Sequence, residues 1–97
     1  MDIGVISVRY ARALLKAATD AKLEDTVYQE MSVLAQSYID VPRLRFTIDN
    51  PMLPKDKKRS LIVTALGGKP SELTSKFVDI VLREDRESVM QFMANSY

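Results

Sequence analysis

Three places in this sequence bring together residue types that do chemistry in other proteins. Glu84, Asp85 and Glu87 crowd carboxylates into one short stretch, the raw material of a general acid–base pair. Gly67-Gly68-Lys69 has the glycines and lysine of a phosphate-cradling loop, and Lys55-Asp56-Lys57-Lys58-Arg59 sets four cations in five positions, enough to meet a nucleic-acid backbone. Each also has a simpler reading. The carboxylates fall in a charged turn, where full solvation keeps them ionised and away from the raised pKa that an acid catalyst needs. A phosphate loop requires a glycine at position 63, which is Val63, so the two glycines read as the C-terminal stop of a helix. The basic run has no interleaved aromatic residue, is interrupted by Asp56, and fills the first turns of a helix, which makes it a solvated helix face. Cations at a helix N-terminus oppose the macrodipole, so the helix itself offers no reason for them.

The remaining composition narrows the chemistry further. The 97 residues include no histidine and no cysteine, which removes the commonest general base, the thiolate nucleophile and nearly all transition-metal sites. No catalytic residue, metal or cofactor is expected. Fourteen basic against thirteen acidic residues give a net charge of +1, so no global field draws in nucleic acid or an anionic bilayer, and a partner must be chosen by shape. With 46% hydrophobic residues the chain supports a single core, hence a single domain over 1–97. It has no apolar run long enough to insert in a membrane, and its start, MDIGVISVRYAR, lacks the basic and apolar regions of an export signal. The absence of cysteine fits a reducing compartment.

Helical periodicity recurs along the chain and strand alternation does not, which predicts an all-α, six-helix bundle. Residues 3–21 form the first helix. From Leu23, the positions Val27, Met31, Leu34 and Tyr38 share one face of a second helix over about 23–39. Pro42 opens a short third helix around LRFTI, which must stop before Asn50-Pro51. Pro54 opens a fourth, KDKKRSLIVTAL, with Leu61, Ile62, Ala65 and Leu66 inward and Gly67-Gly68 as its end. Ser71 caps a fifth helix that runs to about Glu84. A sixth begins with Val89, Met90, Phe92 and Met93 and meets no stop signal before Tyr97, so the natural chain is expected to continue. Met31, Met90 and Met93 fall on core stripes.

Two of these helices are too apolar for one-sided burial. On the first, Arg9, Arg12, Lys16, Thr19 and Asp20 gather on one side. Ile3, Ile6, Val8, Tyr10, Leu14, Leu15 and five alanines spread over about 220° of arc, roughly twice what a surface helix needs. On the fifth, Leu73, Phe77, Val78, Ile80, Val81 and Leu82 span about 200°. Side by side, the leftover flanks would form a shallow apolar groove, the kind of surface that receives an amphipathic helix from another chain. Ala13 and Ala17, on one edge with Ile6, allow close backbone approach, and Tyr10 supplies an aromatic anchor with a polar tip.

The stretch Arg9-Tyr10-Ala11-Arg12-Ala13-Leu14, with Asn50-Pro51 about forty residues later, the basic start of the fourth helix and the breaks at Pro42, Pro51, Pro54 and Gly67-Gly68, resembles a known family. It is similar throughout to the N-terminal domain of the F-type ATP synthase delta subunit, counterpart of the mitochondrial oligomycin-sensitivity-conferring protein. The resemblance implies a non-catalytic stator component on the catalytic head, at the cytoplasmic face of the cell membrane. It also implies that an alpha subunit's N-terminal amphipathic helix lies in a groove between helices 1 and 5. By family position Tyr10, Ala13 and Ile80 match contacts in that groove, and Ile6, Ala17, Leu73, Phe77 and Glu84 join them here because they lie on the same flanks. Family members reach the b-type stalk subunits through a C-terminal domain, which these 97 residues do not include. Many members place a glycine in the turn before the last helix, where this chain has Asp85-Arg86-Glu87. The alternative function is a helical nucleic-acid-binding domain using Lys55, Lys57, Lys58 and Arg59.

Overall fold

The stripe Val27, Met31, Leu34 and Tyr38 is the buried face of a 17-residue helix, α2 (Glu24–Asp40), and the other helices lean on it. In the computed structural model the described residues are 3–97, without the side chain of Ile3, whose expected place on the apolar arc falls outside them. They form α1 (Ile3–Asp20), α2, α3 (Arg43–Asp49), α4 (Lys55–Ala65), α5 (Glu72–Arg83) and α6 (Met90–Ser96), and no strand. The expected all-α six-helix bundle is thus the observed one. One detail differs: the last helix is entered through a 3₁₀ turn, Glu87–Val89, so Val89 precedes α6 instead of starting it.

The core collects Leu14 and Ala18 of α1, the α2 stripe, Leu44 and Ile48 of α3, Ile62 of α4, Val78 and Val81 of α5, and Met90 and Met93 of α6. Met31, Met90 and Met93 are fully buried, as their spacing predicts. Leu61 and Ala65, expected inward, are only half-buried, because α4 touches the core along the narrower line of Lys58 and Ile62.

Three helices end by the same closure. After α1 the Leu23 amide donates to the Ala18 carbonyl at 2.7 Å, after α4 Gly68 donates to Val63 at 2.9 Å, and after α5 Arg86 donates to Val81 at 2.9 Å. Each places the preceding residue in the left-handed region: Lys22 at φ +60°, Gly67 at φ +101° and Asp85 at φ +57°. Only the second was legible as a glycine stop. The left-handed position in the turn before the last helix is held by Asp85, whose short polar side chain tolerates this backbone.

The start of α5 is fixed from α2. Ser71 Oγ accepts from the Thr74 amide as an N-cap, at 3.3 Å. The Glu30 carboxylate in turn accepts from Ser71 Oγ at 2.8 Å, from the buried Thr74 Oγ1 at 2.7 Å, and from the Ser71 amide. One carboxylate therefore satisfies three donors where α5 begins and sets the distance of α5 from α2. Glu30→Ala, which strands the buried Thr74 hydroxyl, is expected to cost about 2–3 kcal/mol in urea unfolding, with Glu30→Gln recovering part of it.

Candidate functional site

The middle of the α1 arc is taken by the core: Ser7, Ala11, Leu14 and Ala18 are buried. The surplus lies uncovered on both sides of that stripe. On one side Val8 and Leu15 are exposed; on the other Ile6, Tyr10, Ala13 and Ala17 turn toward α5. α1 packs chiefly on α6 and touches α5 far less, so the two helices splay. Between them runs a trough of about 820 Å³, into which all eight of the expected residues face: Ile6, Tyr10, Ala13 and Ala17 from α1, Leu73, Phe77 and Ile80 from α5, and Glu84 beyond its end. Ala13 is exposed and Ile80 is 39% exposed, so no later segment of this chain roofs them.

Tyr10 closes the floor. Its ring meets Phe77 edge-on, with centroids 6.4 Å apart and planes at 72°, a favourable aromatic geometry. Its hydroxyl donates to Glu84 Oε1 at 2.7 Å, crossing from α1 to the end of α5. Burial pushes the Tyr10 phenol up, and the bond to Glu84 with its negative charge pushes it further, against an opposing pull from Arg86. Tyr10 therefore remains a protonated donor throughout the physiological range. Phe77 itself is mostly core and offers the trough only its edge.

Five lining residues, Val5, Arg9, Leu14, Lys76 and Arg86, were not among the expected site residues. Helical-wheel reasoning puts Arg9 and Lys76 on solvent sides, which is correct, but a trough between two helices has rims, and these are its rims. Lys76 was visible in the sequence as the residue between Leu73 and Ile80 on one α5 edge.

The basic cluster and the acidic turn turn out to be two halves of one structure, which corrects both expectations of solvated faces. Lys58 and Glu87 are buried, 4% and 6% exposed, with Lys58 Nζ donating to Glu87 Oε2 at 2.8 Å. Lys55 Nζ donates to the same oxygen at 2.7 Å and pairs with Asp85 Oδ1 at 2.5 Å, while Arg59 Nε donates to Asp79 Oδ1 at 2.6 Å. The physical reason is tertiary: the α5–α6 turn folds back onto the start of α4, and the pairing outweighs the unfavourable macrodipole. Burial alone would raise the Glu87 carboxyl, but hydrogen bonds from Lys55 and Lys58 hold it below the ordinary carboxylate range. With three of its four cations engaged inside the fold, the cluster loses its support as a phosphate-binding face. Of the suggested carboxylates only Glu84 borders the trough, and among the described residues no group of acidic side chains could hold a metal ion.

Fold and site together define an all-α bundle domain that presents an open apolar trough with a charged rim. The chain belongs to the ATP synthase delta (OSCP) subunit family, whose sequence profile matches residues 6–97. It is 52% identical over 98 residues to the ATP synthase subunit delta of Phocaeicola vulgatus, covering 100% of this chain and 53% of that protein. It is 41% identical to that of Parabacteroides distasonis, covering 100% of this chain and 54% of the relative, and 40% identical to that of Bacteroides fragilis, covering 100% and 53%. The chain thus spans about half the length of the curated relatives it matches. No solved structure matches it significantly.

Removing one partner of a buried ion pair leaves the other charged and unpaired. Lys58→Met is accordingly expected to cost about 3 kcal/mol in urea unfolding, whereas Lys57→Met, outside the ion pairs, changes stability by less than about 0.5 kcal/mol. The pH dependence has a definite sign. Because Glu87 titrates below its ordinary 4.5 in the folded state, its contribution is complete above that value and is lost as pH falls through the folded one. Asp49, raised chiefly by burial, acts in the opposite direction, so the comparison to make is wild type against Glu87→Gln. The gap between their unfolding free energies should narrow from pH 6 to pH 3.

Proposed function

We propose that this domain is the head-binding part of an ATP synthase stator. It carries no chemistry of its own. It holds the N-terminal amphipathic helix of an alpha subunit in the trough between α1 and α5, and so anchors the catalytic head of the synthase against the torque of the rotor. The observation that supports this most directly is the uncovered apolar trough at Ala13 and Ile80, lined from both α1 and α5. Membership of the delta subunit family supports an ATP synthase as the assembly in which such a guest would be met. In this reading Tyr10, Ala13 and Ile80 make the central contacts, and Ile6, Ala17, Leu73, Phe77 and Glu84 extend them along both banks.

The geometry suits tight binding. A helix lying along α1 and α5 would bury about 1,000–1,600 Å² of total surface, apolar at its centre, which is ample for nanomolar affinity when the receptor is already in shape. Glu30 at one end of α5 and Tyr10 and Glu87 near the other keep the trough formed without the guest, so the ordering cost falls on the guest alone. The alanines at positions 13 and 17 let the guest backbone come close.

The same reading extends to the rest of the stator. In this reading the b-type stalk subunits are the stator's other attachment, made away from the trough. The domain sits on the cytoplasmic face of the cell membrane as a peripheral component. No helix among the described residues is long and apolar enough to cross a bilayer.

Ala13→Asp places an unpaired carboxylate in the centre of the contact. It is expected to weaken binding of a peptide of the cognate alpha-subunit N-terminus by about 2–4 kcal/mol in isothermal titration calorimetry, with an unchanged circular dichroism spectrum. Unchanged affinity would remove Ala13 from the interface, and a wild-type domain that does not bind the peptide would overturn the assignment of the trough.

A further inference from the structure

The trough is apolar on its floor and charged along its rims, and the charge it turns outward is mainly positive. Arg9, Lys76 and Arg86 line it, against a single acid, Glu84, whose carboxylate already accepts from Tyr10. Lys76 has only an exposed partner on its own helix, Glu72, at 3.3 Å.

The α1 bank carries the sharper pattern. Seven residues beyond Arg9, just outside the residues that line the trough, stands Lys16, about 20° away around the helix and about 10 Å along it. Both side chains are exposed, and neither has an ion pair among the described residues. The one acid on this edge is Asp20, at the last position of α1. Two unpaired cations two turns apart, beside an apolar strip, match the repeat of a helix laid alongside.

Resting on the reading of the trough as the seat of a guest helix, we propose that the guest is an amphipathic helix with an acidic edge. Asp or Glu side chains about two turns apart flank its apolar stripe on the side that meets Arg9 and Lys16. The floor supplies affinity by burial. The cationic bank supplies selection: as the guest excludes water, Arg9 and Lys16 lose hydration, which an acidic edge makes good and a basic edge aggravates. Charges at an exposed rim act chiefly on the rate of encounter and on salt sensitivity.

Stopped-flow association of the cognate alpha-subunit N-terminal peptide with the wild-type chain and with the Arg9→Glu/Lys16→Glu double variant tests this. Both positions are exposed, so thermal melts should show the variant folded. The variant should associate about tenfold more slowly at low salt, and the two rates should converge near 0.5 M sodium chloride, where the screening length is about 4 Å. A peptide with its acidic residues changed to lysine should reverse the preference and associate faster with the variant. Equal rates for both proteins at low salt would overturn the acidic edge and leave the trough standing. Failure of the peptide to bind the wild-type chain would overturn the reading of the trough and this inference with it.

Discussion

α2 offers one narrow buried stripe, and α1, α3, α4, α5 and α6 all rest on it. That is the constraint from which the rest of the architecture follows. A stripe of Val27, Met31, Leu34 and Tyr38 can seat the inner faces of its neighbours but cannot wrap them. α1 and α5 carry apolar arcs about twice as wide as such seating uses. Among the described residues no helix covers the excess. The excess therefore faces outward along the line where α1 and α5 diverge. The trough is thus less a carved feature than the remainder of an incomplete bundle.

Polar groups then do what packing alone leaves undone. Apolar contacts say that helices touch; they say little about register, because one methyl group replaces another easily. The Glu30 carboxylate at the head of α5 and the Lys58–Glu87 pair beneath its tail are specific in distance and direction. Ion pairs of this kind contribute little net stability over an apolar replacement, so positional definition is the more natural explanation of their presence here. Both lie beside the trough and outside it, where they fix its α5 bank without presenting charge to its floor.

Much of this was legible in the residues. The helix count, the stripe on α2, the cap at Ser71, the stop at Gly67-Gly68 and the outward flanks of α1 and α5 all follow from local spacing and local chemistry. What could not be read was any fact that depends on which turn meets which helix. Lys58 and Glu87 look like solvated residues because periodicity sees only their own segments, and their partners lie 29 positions apart. The left-handed stops at Lys22 and Asp85 were hidden for another reason: neither residue type demands that conformation as glycine at a helix end does, and the hydrogen bonds that impose it are made by the backbone. The rim residues Arg9 and Lys76 belong to the same class, since a wheel sorts side chains into inside and outside and has no category for the lip of a cleft.

The two banks of the trough are held very differently, and this has a mechanical consequence. α5 is pinned to α2 through Glu30, to α4 through Arg59 and Asp79, and at its outgoing corner to α4 through Glu87. α1 is bound mainly to α6 and α2, and it reaches α5 by little more than the Tyr10 ring and its hydroxyl. The trough therefore has one braced bank and one held across it by a single tyrosine, above a core that both banks share. Load applied across the trough would fall first on that one tyrosine, because the α5 bank is braced at both ends by polar contacts and the α1 bank is not.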